Sequence, residues 1–398
     1  MYDAIIIGAR CAGAATAMLL ANKGYSVVAL DRASFPSDTV STHIIKYPGV
    51  NQLQKWELLD EVVATNAPPL NQARSHFGDF LLSGTAPPED GISMIAPRRT
   101  VLDELLVDAA REAGAEIREE FVVRELLTEG NRVVGVKGQP KGGSPVTERA
   151  RIVIGAGGKN SLVARTVDPD TTKHHPPAAF YYYTYWAGLP DTGLEFHWRP
   201  GHFVLSIPTN DDLTCLVVGR PIDKQASFAT DIESNYHEAL QIAPDLADRV
   251  TGREPDEPYL GMAVPNYLRK PFGPGWALVG DAGLCMDPLK GHGISDAFCD
   301  AELLTNAIDA GFSDNEPLPQ ALDRYEQQRN TRKAGYFKRN WKASHLEGWD
   351  DPATLNLRAA LRENQDQADL WAGTIAFSVA FDEFYSSEFV ENAIESAA

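Results

Sequence analysis

Residues 4–31 read Ala4-Ile5-Ile6-Ile7-Gly8-Ala9-Arg10-Cys11-Ala12-Gly13-Ala14-Ala15-Thr16-Ala17-Met18-Leu19-Leu20-Ala21-Asn22-Lys23-Gly24-Tyr25-Ser26-Val27-Val28-Ala29-Leu30-Asp31. The apolar run 4–7 predicts a buried strand, Cys11 to Lys23 a helix, and Ser26 to Leu30 a second strand. A strand that enters a helix through glycines presents helix N–H groups to an anion, as a dinucleotide pyrophosphate requires. Gly8 supplies the turn and Gly13 lets helix and strand approach, while Ala17 and Gly24 continue the spacing. Asp31 ends the second strand, where a carboxylate can take both ribose hydroxyls of an adenosine. One position departs from the usual pattern: Arg10 stands where the middle glycine belongs, so its side chain must turn away from the pyrophosphate or wrap over it. Arg32 is open to two readings, a residue near the adenine or a solvated surface arginine.

Outward from this unit, a helix is expected from Thr100 to Ala113, followed by strands near Phe121–Leu127 and Val133–Val136 and another at Arg151–Gly155. Residues 178–220 change to aromatic and β-branched runs broken by Pro, Gly and Asp, the pattern of a mostly antiparallel sheet. A helix at Ile232–Leu240, a buried strand at Trp276–Val279 and a largely helical remainder complete the chain. The expected fold is α/β, a Rossmann-like domain interleaved with a β-sheet substrate domain and a helical C-terminal region. The expected boundaries are 1–72, 96–170 and 270–343 for the first, 73–95 and 171–269 for the second, and 344–398 for the third.

Residues 276–304 carry a second motif, a buried strand ending in Gly280-Asp281, a loop containing Pro288 and Gly291-His292-Gly293, and then a helix from Ile294 onward. The acid at the strand tip can hold a polyol hydroxyl. The glycine-flanked loop exposes backbone N–H groups, and the helix behind it adds the positive end of its dipole.

These blocks, with Arg99-Thr100-Val101-Leu102-Asp103 opening a helix, resemble the FAD-dependent aromatic hydroxylases and their relatives, the geranylgeranyl reductases and flavin-dependent halogenases. The resemblance covers about residues 1–165 and 275–310. It implies FAD as cofactor, held by Gly8, Gly13, Asp31, Arg32, Arg99, Val123, Gly280, Asp281, Pro288, Gly291, Gly293 and Ile294. It places the Ser41-Thr42-His43 loop and His292 near the flavin ring, so His43 and His292 are the catalytic candidates. Where relatives read GADGxxSxVR, this chain has Gly157 in the aspartate's place. Both NAD(P)H as transient reductant and a separate flavin reductase therefore stay open.

The leading activity implied is hydroxylation of a small aromatic or polyketide-like substrate by molecular oxygen, through a flavin C4a-hydroperoxide. Reduction of carbon–carbon double bonds is the alternative, because the Gly291–Ala297 loop is closer to the reductase and halogenase form. Halogenation ranks lower, since Phe203–Pro208 lacks both tryptophans of the WxWxIP motif, and a non-catalytic flavin binder ranks lower still. In Phe180–Trp186, period-2 alternation sets Tyr181, Tyr183 and Tyr185 on one face, expected to stack on substrate. His197 and His202 are expected on neighbouring strands, where either could deprotonate a phenol or serve as a structural histidine, and His202 is taken as a further substrate candidate.

Composition narrows the rest. A formal net charge of −19 opposes a nucleic-acid surface, which needs a basic patch. No run of 18 apolar residues exists to span a bilayer. The four cysteines lack metal-ligand spacing, so no metal is expected, and with no leader pattern at the start the expected location is the cytoplasm. The C-terminal apolar helix positions suit a cover for the substrate domain or a homodimer surface.

Overall fold

In the computed structural model, which describes residues 1–78, 80–88, 91–386 and 390, the opening strand spans Tyr2–Ile7 and the first helix Cys11–Asn22. The strand pairs in parallel with Val27–Leu30 on one side and with Val146–Gly155 on the other. Glu116–Arg118 and Trp276–Leu278 extend this parallel sheet at its two ends. Helices cover one face, and the hairpin Phe121–Glu129 and Arg132–Pro140 with the short helix Leu162–Val167 covers the other, so its strands are buried on both faces and read as unbroken apolar runs. The first helix is rich in alanine, and its small side chains pack closely with the long helix Gly293–Phe312. Arg99–Glu112 lies against the same helix, and the three share one apolar core.

The β-rich part is a seven-stranded sheet in the order Leu260–Met262, Ala179–Ala187, Leu213–Pro221, His202–Pro208, Leu194–Arg199, Gln72–Phe77 and Phe80–Thr85. Every neighbouring pair is antiparallel except Leu194–Arg199 with Gln72–Phe77. That parallel pair joins segments far apart in sequence. One face of the sheet packs on the Ile232–Leu240 and Pro244–Val250 helices through Trp186, Val204, Leu216 and Val218. The other buries Tyr181, Tyr183, Tyr185, Phe203 and Leu205 in a core that also takes in Ile44, Leu289 and Trp371.

That second core is where the two sheets meet. Leu289 comes from the loop before the Gly293–Phe312 helix, and Ile44 from the segment after Asp31. The helices Pro352–Arg362 and Gln365–Ala376 close the remaining side, lying on the edge strand Phe80–Thr85. Gly84 allows this approach, since a Cβ there would sit 2.1 Å from the Ala368 carbonyl oxygen. Of the helical region expected over 344–398, residues 387–389 and 391–398 lie outside the described residues. Among the described residues, no helix is long and apolar enough to cross a membrane.

Candidate active site

The glycine turn is built as tightly as its sequence implies. Gly8 has φ +104°, and a Cβ there would lie 2.7 Å from the Ala156 carbonyl oxygen. At Gly13 a Cβ would come within 1.8 Å of the Gly8 carbonyl oxygen, so only glycine lets the helix sit on the turn. Asp31 is buried and holds the turn from the neighbouring strand, accepting from the Ala9 N–H at 2.7 Å and the Ala33 N–H at 2.8 Å. A carboxylate has about four acceptor positions, so it retains capacity for a ribose. Arg32, next in the chain, is exposed.

Arg10 turns away from the turn. Its guanidinium reaches Asp103 Oδ2 at 2.5 Å, the Ser37 carbonyl at 3.0 Å and the Asp38 carbonyl at 3.1 Å, and it lies over the Phe35 ring. The backbone at Arg10 is extended (φ −88°, ψ −168°), so a side chain there carries no strain. The loop 35–38 is thereby fastened to the helix that begins at Arg99.

Asp103 is the centre of this network. Fully buried, it accepts from Arg10, from Arg99 through Nε at 3.1 Å and Nη2 at 2.8 and 2.9 Å, and from the Cys11 thiol at 3.3 Å. Burial pushes that thiol far above its usual range, which leaves Cys11 an inert neutral donor. Asp281 stands on the one-turn segment Gly280–Ala282. Its side chain reaches solvent, yet protein surrounds it closely enough that burial, with Asp296 adding repulsion, pushes its carboxyl up to about 6. Arg99 and Lys159 oppose that rise. Gly280 packs against Ala12 of the first helix, which brings the two glycine motifs together.

Beyond Asp281 the chain forms a short turn at Pro288–Lys290, then the left-handed Gly291, and enters the helix at Gly293. A Cβ at Gly293 would meet nothing within 4 Å, so space is open in front of this helix N-terminus. Pro288 is half-buried and Ile294 buried. Val123 is half-buried, on the strand Phe121–Glu129 and paired with Gly138. Asp287, just before Pro288, accepts from the Tyr181 hydroxyl at 2.6 Å and the Leu289 N–H at 3.0 Å. Burial pushes its carboxyl up to about 7, against both hydrogen bonds.

Tyr181, Tyr183 and Tyr185 do share one face of the Ala179–Ala187 strand, but they are no more than 1% exposed. Each hydroxyl is committed to a loop of the other sheet: Tyr181 to Asp287, Tyr183 to the Ser41 N–H at 3.0 Å, and Tyr185 to His43 Nε2 at 2.5 Å. The expected substrate-stacking face is therefore a fastening between the two halves. The reason is packing: large amphipathic side chains that bridge two layers bury their rings and use their hydroxyls as ties. His43 is fully buried with φ +59°, its Nδ1 has no hydrogen-bond partner, and its ring lies edge-on to Tyr183. Burial, then Arg99 and Arg98, push its imidazole down to about 3, so it is neutral at physiological pH.

Two histidines are placed otherwise than expected. His292 turns its ring into the helical layer, 3.9 Å from Tyr336 and 4.1 Å from Phe377 between ring centres, where it lines a cavity of about 80 Å³ with Lys46, Asp296 and Lys333. The glycine-flanked backbone suggested an imidazole facing the flavin, but two aromatic rings from the C-terminal third of the chain offer it an apolar berth. His202 points to the opposite face from the three tyrosines, as period-2 alternation with Phe203 and Leu205 requires, and bonds the Pro200 carbonyl at 3.1 Å. Three residues of this site went unassigned in the sequence. Asp103 had a signal, four residues after Arg99 on one helix face, whereas Asp287 and Arg98, which lies over the Tyr185 ring, had none.

A parallel sheet opened by a glycine turn, with an acid at the second strand's tip and a second glycine loop behind it, defines a dinucleotide-binding flavoprotein fold. The chain belongs to the FAD binding domain family, whose model matches residues 1–339. It is 25% identical over 336 residues to digeranylgeranylglycerophospholipid reductase 1 of Methanococcoides burtonii, covering 81% of this chain and 75% of that one. The flavin-dependent brominase Bmp2 shares its fold with a TM-score of 0.80 at 20% identity, over 99% of this chain and 98% of the other. So does pqsL of Pseudomonas aeruginosa, described as a probable FAD-dependent monooxygenase, with a TM-score of 0.71 at 20% identity over 95% and 100%. The chain is thus a member of the FAD binding domain family, similar in sequence to a reductase and in fold to a brominase and to a protein described as a monooxygenase.

Proposed function

We propose that the chain is an FAD-dependent monooxygenase that hydroxylates a small aromatic or polyketide-like substrate, with NAD(P)H as the reductant. Gly8, Gly13 and the first helix would hold the pyrophosphate, Asp31 the adenosine ribose, with Arg32 and Val123 toward the adenine. Arg99, Gly280 and Asp281 would meet the ribityl chain, and Pro288, Gly291, Gly293 and Ile294 the ring. The fit rests on the turn between Gly8 and Gly13, where neither glycine has room for a Cβ, and on the open space before Gly293. Bound FAD would supply electron transfer and oxygen activation.

The observation that carries hydroxylation is His43. Its Nδ1 is buried with no hydrogen-bond partner while Tyr185 holds its Nε2, and hydroxylation of a phenol calls for a nitrogen that takes the hydroxyl proton once the depression of the imidazole is offset. Its hydrogen bond with Tyr185 fixes the orientation of the ring. Negative charge brought beside Arg98 and Arg99 would raise the imidazole toward its working range, because those two cations are part of what depresses it.

Double-bond reduction has one observation in its favour. The Asp287 carboxyl, pushed up to about 7, is half-protonated near neutrality and so suits proton donation to a reduced carbon. The flavin-loaded protein, given NADPH and ¹⁸O₂ with a panel of phenols and of polyprenyl lipids, separates the readings. Label in a phenol product is expected. Saturation of the lipid without label would replace hydroxylation by reduction, and halide-dependent carbon–halogen bonds would replace both.

A further inference from the structure

On the outer face of the seven-stranded sheet, away from the tyrosine face, three potential metal ligands meet: His76, Glu195 and His197. Glu195 and His197 are two residues apart on the strand Leu194–Arg199, so they share a face, and the intervening Phe196 and the following Trp198 turn into the inner core. His76 comes from Gln72–Phe77, whose parallel register sets it directly beside His197. The two imidazole rings lie stacked, 4.2 Å between centres and 3° between planes. Both Nε2 atoms therefore converge on one carboxylate oxygen, Glu195 Oε1, at 2.9 Å from His76 and 3.1 Å from His197.

A plain hydrogen-bonded trio would satisfy both imidazoles, and this one does not. His76 Nε2 is buried and close to Oε1, but it is not aligned to donate to that oxygen and has no other hydrogen-bond partner. His197 Nε2 shares a hydrogen bond with Oε1, so an ion would take that bond's place and turn the more exposed His76 ring out of its stack to aim both nitrogens at one point. In a tetrahedral zinc site with bonds of about 2.0–2.1 Å, neighbouring ligand atoms are roughly 3.3 Å apart. The two nitrogen–oxygen separations here are within a few tenths of an ångström of that spacing. Glu195 Oε2 accepts from the Thr192 hydroxyl at 2.8 Å, which fixes the carboxylate plane as outer-shell partners of metal ligands do. Glu195 and His197 are buried, and the His76 side chain, 23% exposed, is the outermost member of the three.

We propose that His76, Glu195 and His197 form a binding site for a divalent transition metal of the zinc class, outside the flavin site. Two imidazoles and one carboxylate suit Zn²⁺ and its substitute Co²⁺ better than Mg²⁺ or Ca²⁺, which prefer all-oxygen shells. The ion would tie the 72–77 segment to the 194–199 strand at the sheet's parallel pair, which no hairpin holds in register.

The full-length, tag-free, flavin-loaded protein is dialysed against Co²⁺ and against Zn²⁺, and bound metal is measured. About one equivalent of either ion is expected, with visible cobalt absorption of a low-coordinate nitrogen–oxygen site. His76→Ala and Glu195→Gln should lose the metal and the absorption while keeping their FAD content, and Thr192→Val should weaken binding about 10- to 100-fold. Metal content in His76→Ala equal to that of the unsubstituted chain overturns the proposal. If either variant does not fold, thermal unfolding of the unsubstituted chain with Zn²⁺ and with chelator decides. A raised midpoint with Zn²⁺ supports the site, and identical midpoints reject it.

Discussion

His43 and Tyr185, separated by 142 residues in the chain, share a hydrogen bond of 2.5 Å that joins the loop after the first βαβ unit to the aromatic strand of the second sheet. Since Tyr183 and Tyr181 make parallel ties from the same strand face, the spacing of alternate side chains along one strand aligns two loops of the other sheet. The loops that would flank a flavin are thus set by the β-rich sheet.

The buried His43 makes the protein acid-sensitive. Its imidazole, at about 3 in the fold against about 6.5 unfolded, gives stability that is complete above pH 6.5 and is lost as pH falls toward 3. His43→Asn suits the positive φ and removes the titration. Urea midpoints at pH 7 and pH 4 should show the variant spared about 2–3 kcal/mol of the loss seen in the parent. Equal losses in both proteins would refute the burial effect.

Asp287 acts with the opposite sign. Its raised carboxyl destabilises the fold as pH climbs from about 4 to about 7, with no further effect above that. Asp287→Asn keeps an acceptor for Tyr181 and the Leu289 N–H, so at pH 8 it should be more stable than the parent by on the order of 3 kcal/mol, and equal near pH 4. Thermal melts across this range provide the measurement.

Removing Asp103 leaves two arginines without their common partner. Asp103→Ala is expected to cost about 3–5 kcal/mol in denaturant unfolding, because a buried pair broken on one side leaves uncompensated charge. FAD retention should fall as well, since Arg99 loses its orientation. A variant as stable as the parent would show that solvent reaches the cluster.

The two glycine motifs can be tested by flavin titration of the apoprotein. Gly13→Ala forces a methyl onto the Gly8 carbonyl and should reduce affinity at least about tenfold, or about 1.4 kcal/mol. Asp281→Ala should do the same without lowering the melting temperature at pH 7, since a carboxyl held above its ordinary range destabilises the fold once ionised. Unchanged affinity in Asp281→Ala would remove Asp281 from the cofactor site.

What the sequence by itself determined is whatever depends on neighbours in the chain. The opening strand, the helix at Cys11 and the helix at Arg99 appear within a residue or two of their expected ends, because apolar period and glycine punctuation are local signals. The excluded Cβ at Gly13 and the acid at position 31 follow from the same spacing. Tertiary structure alone decided where side chains went once strands from distant segments were paired. Arg10 found Asp103 on a helix that begins some 90 residues later, and the tyrosine face closed on two loops it cannot see in sequence. His292 turned toward Tyr336 and Phe377. The His76–Glu195–His197 cluster exists only through the register of one parallel strand pair, for which no turn or local period leaves a mark. Local periodicity fixes which face a residue occupies on its own element, and only the packing of elements determines what that face meets.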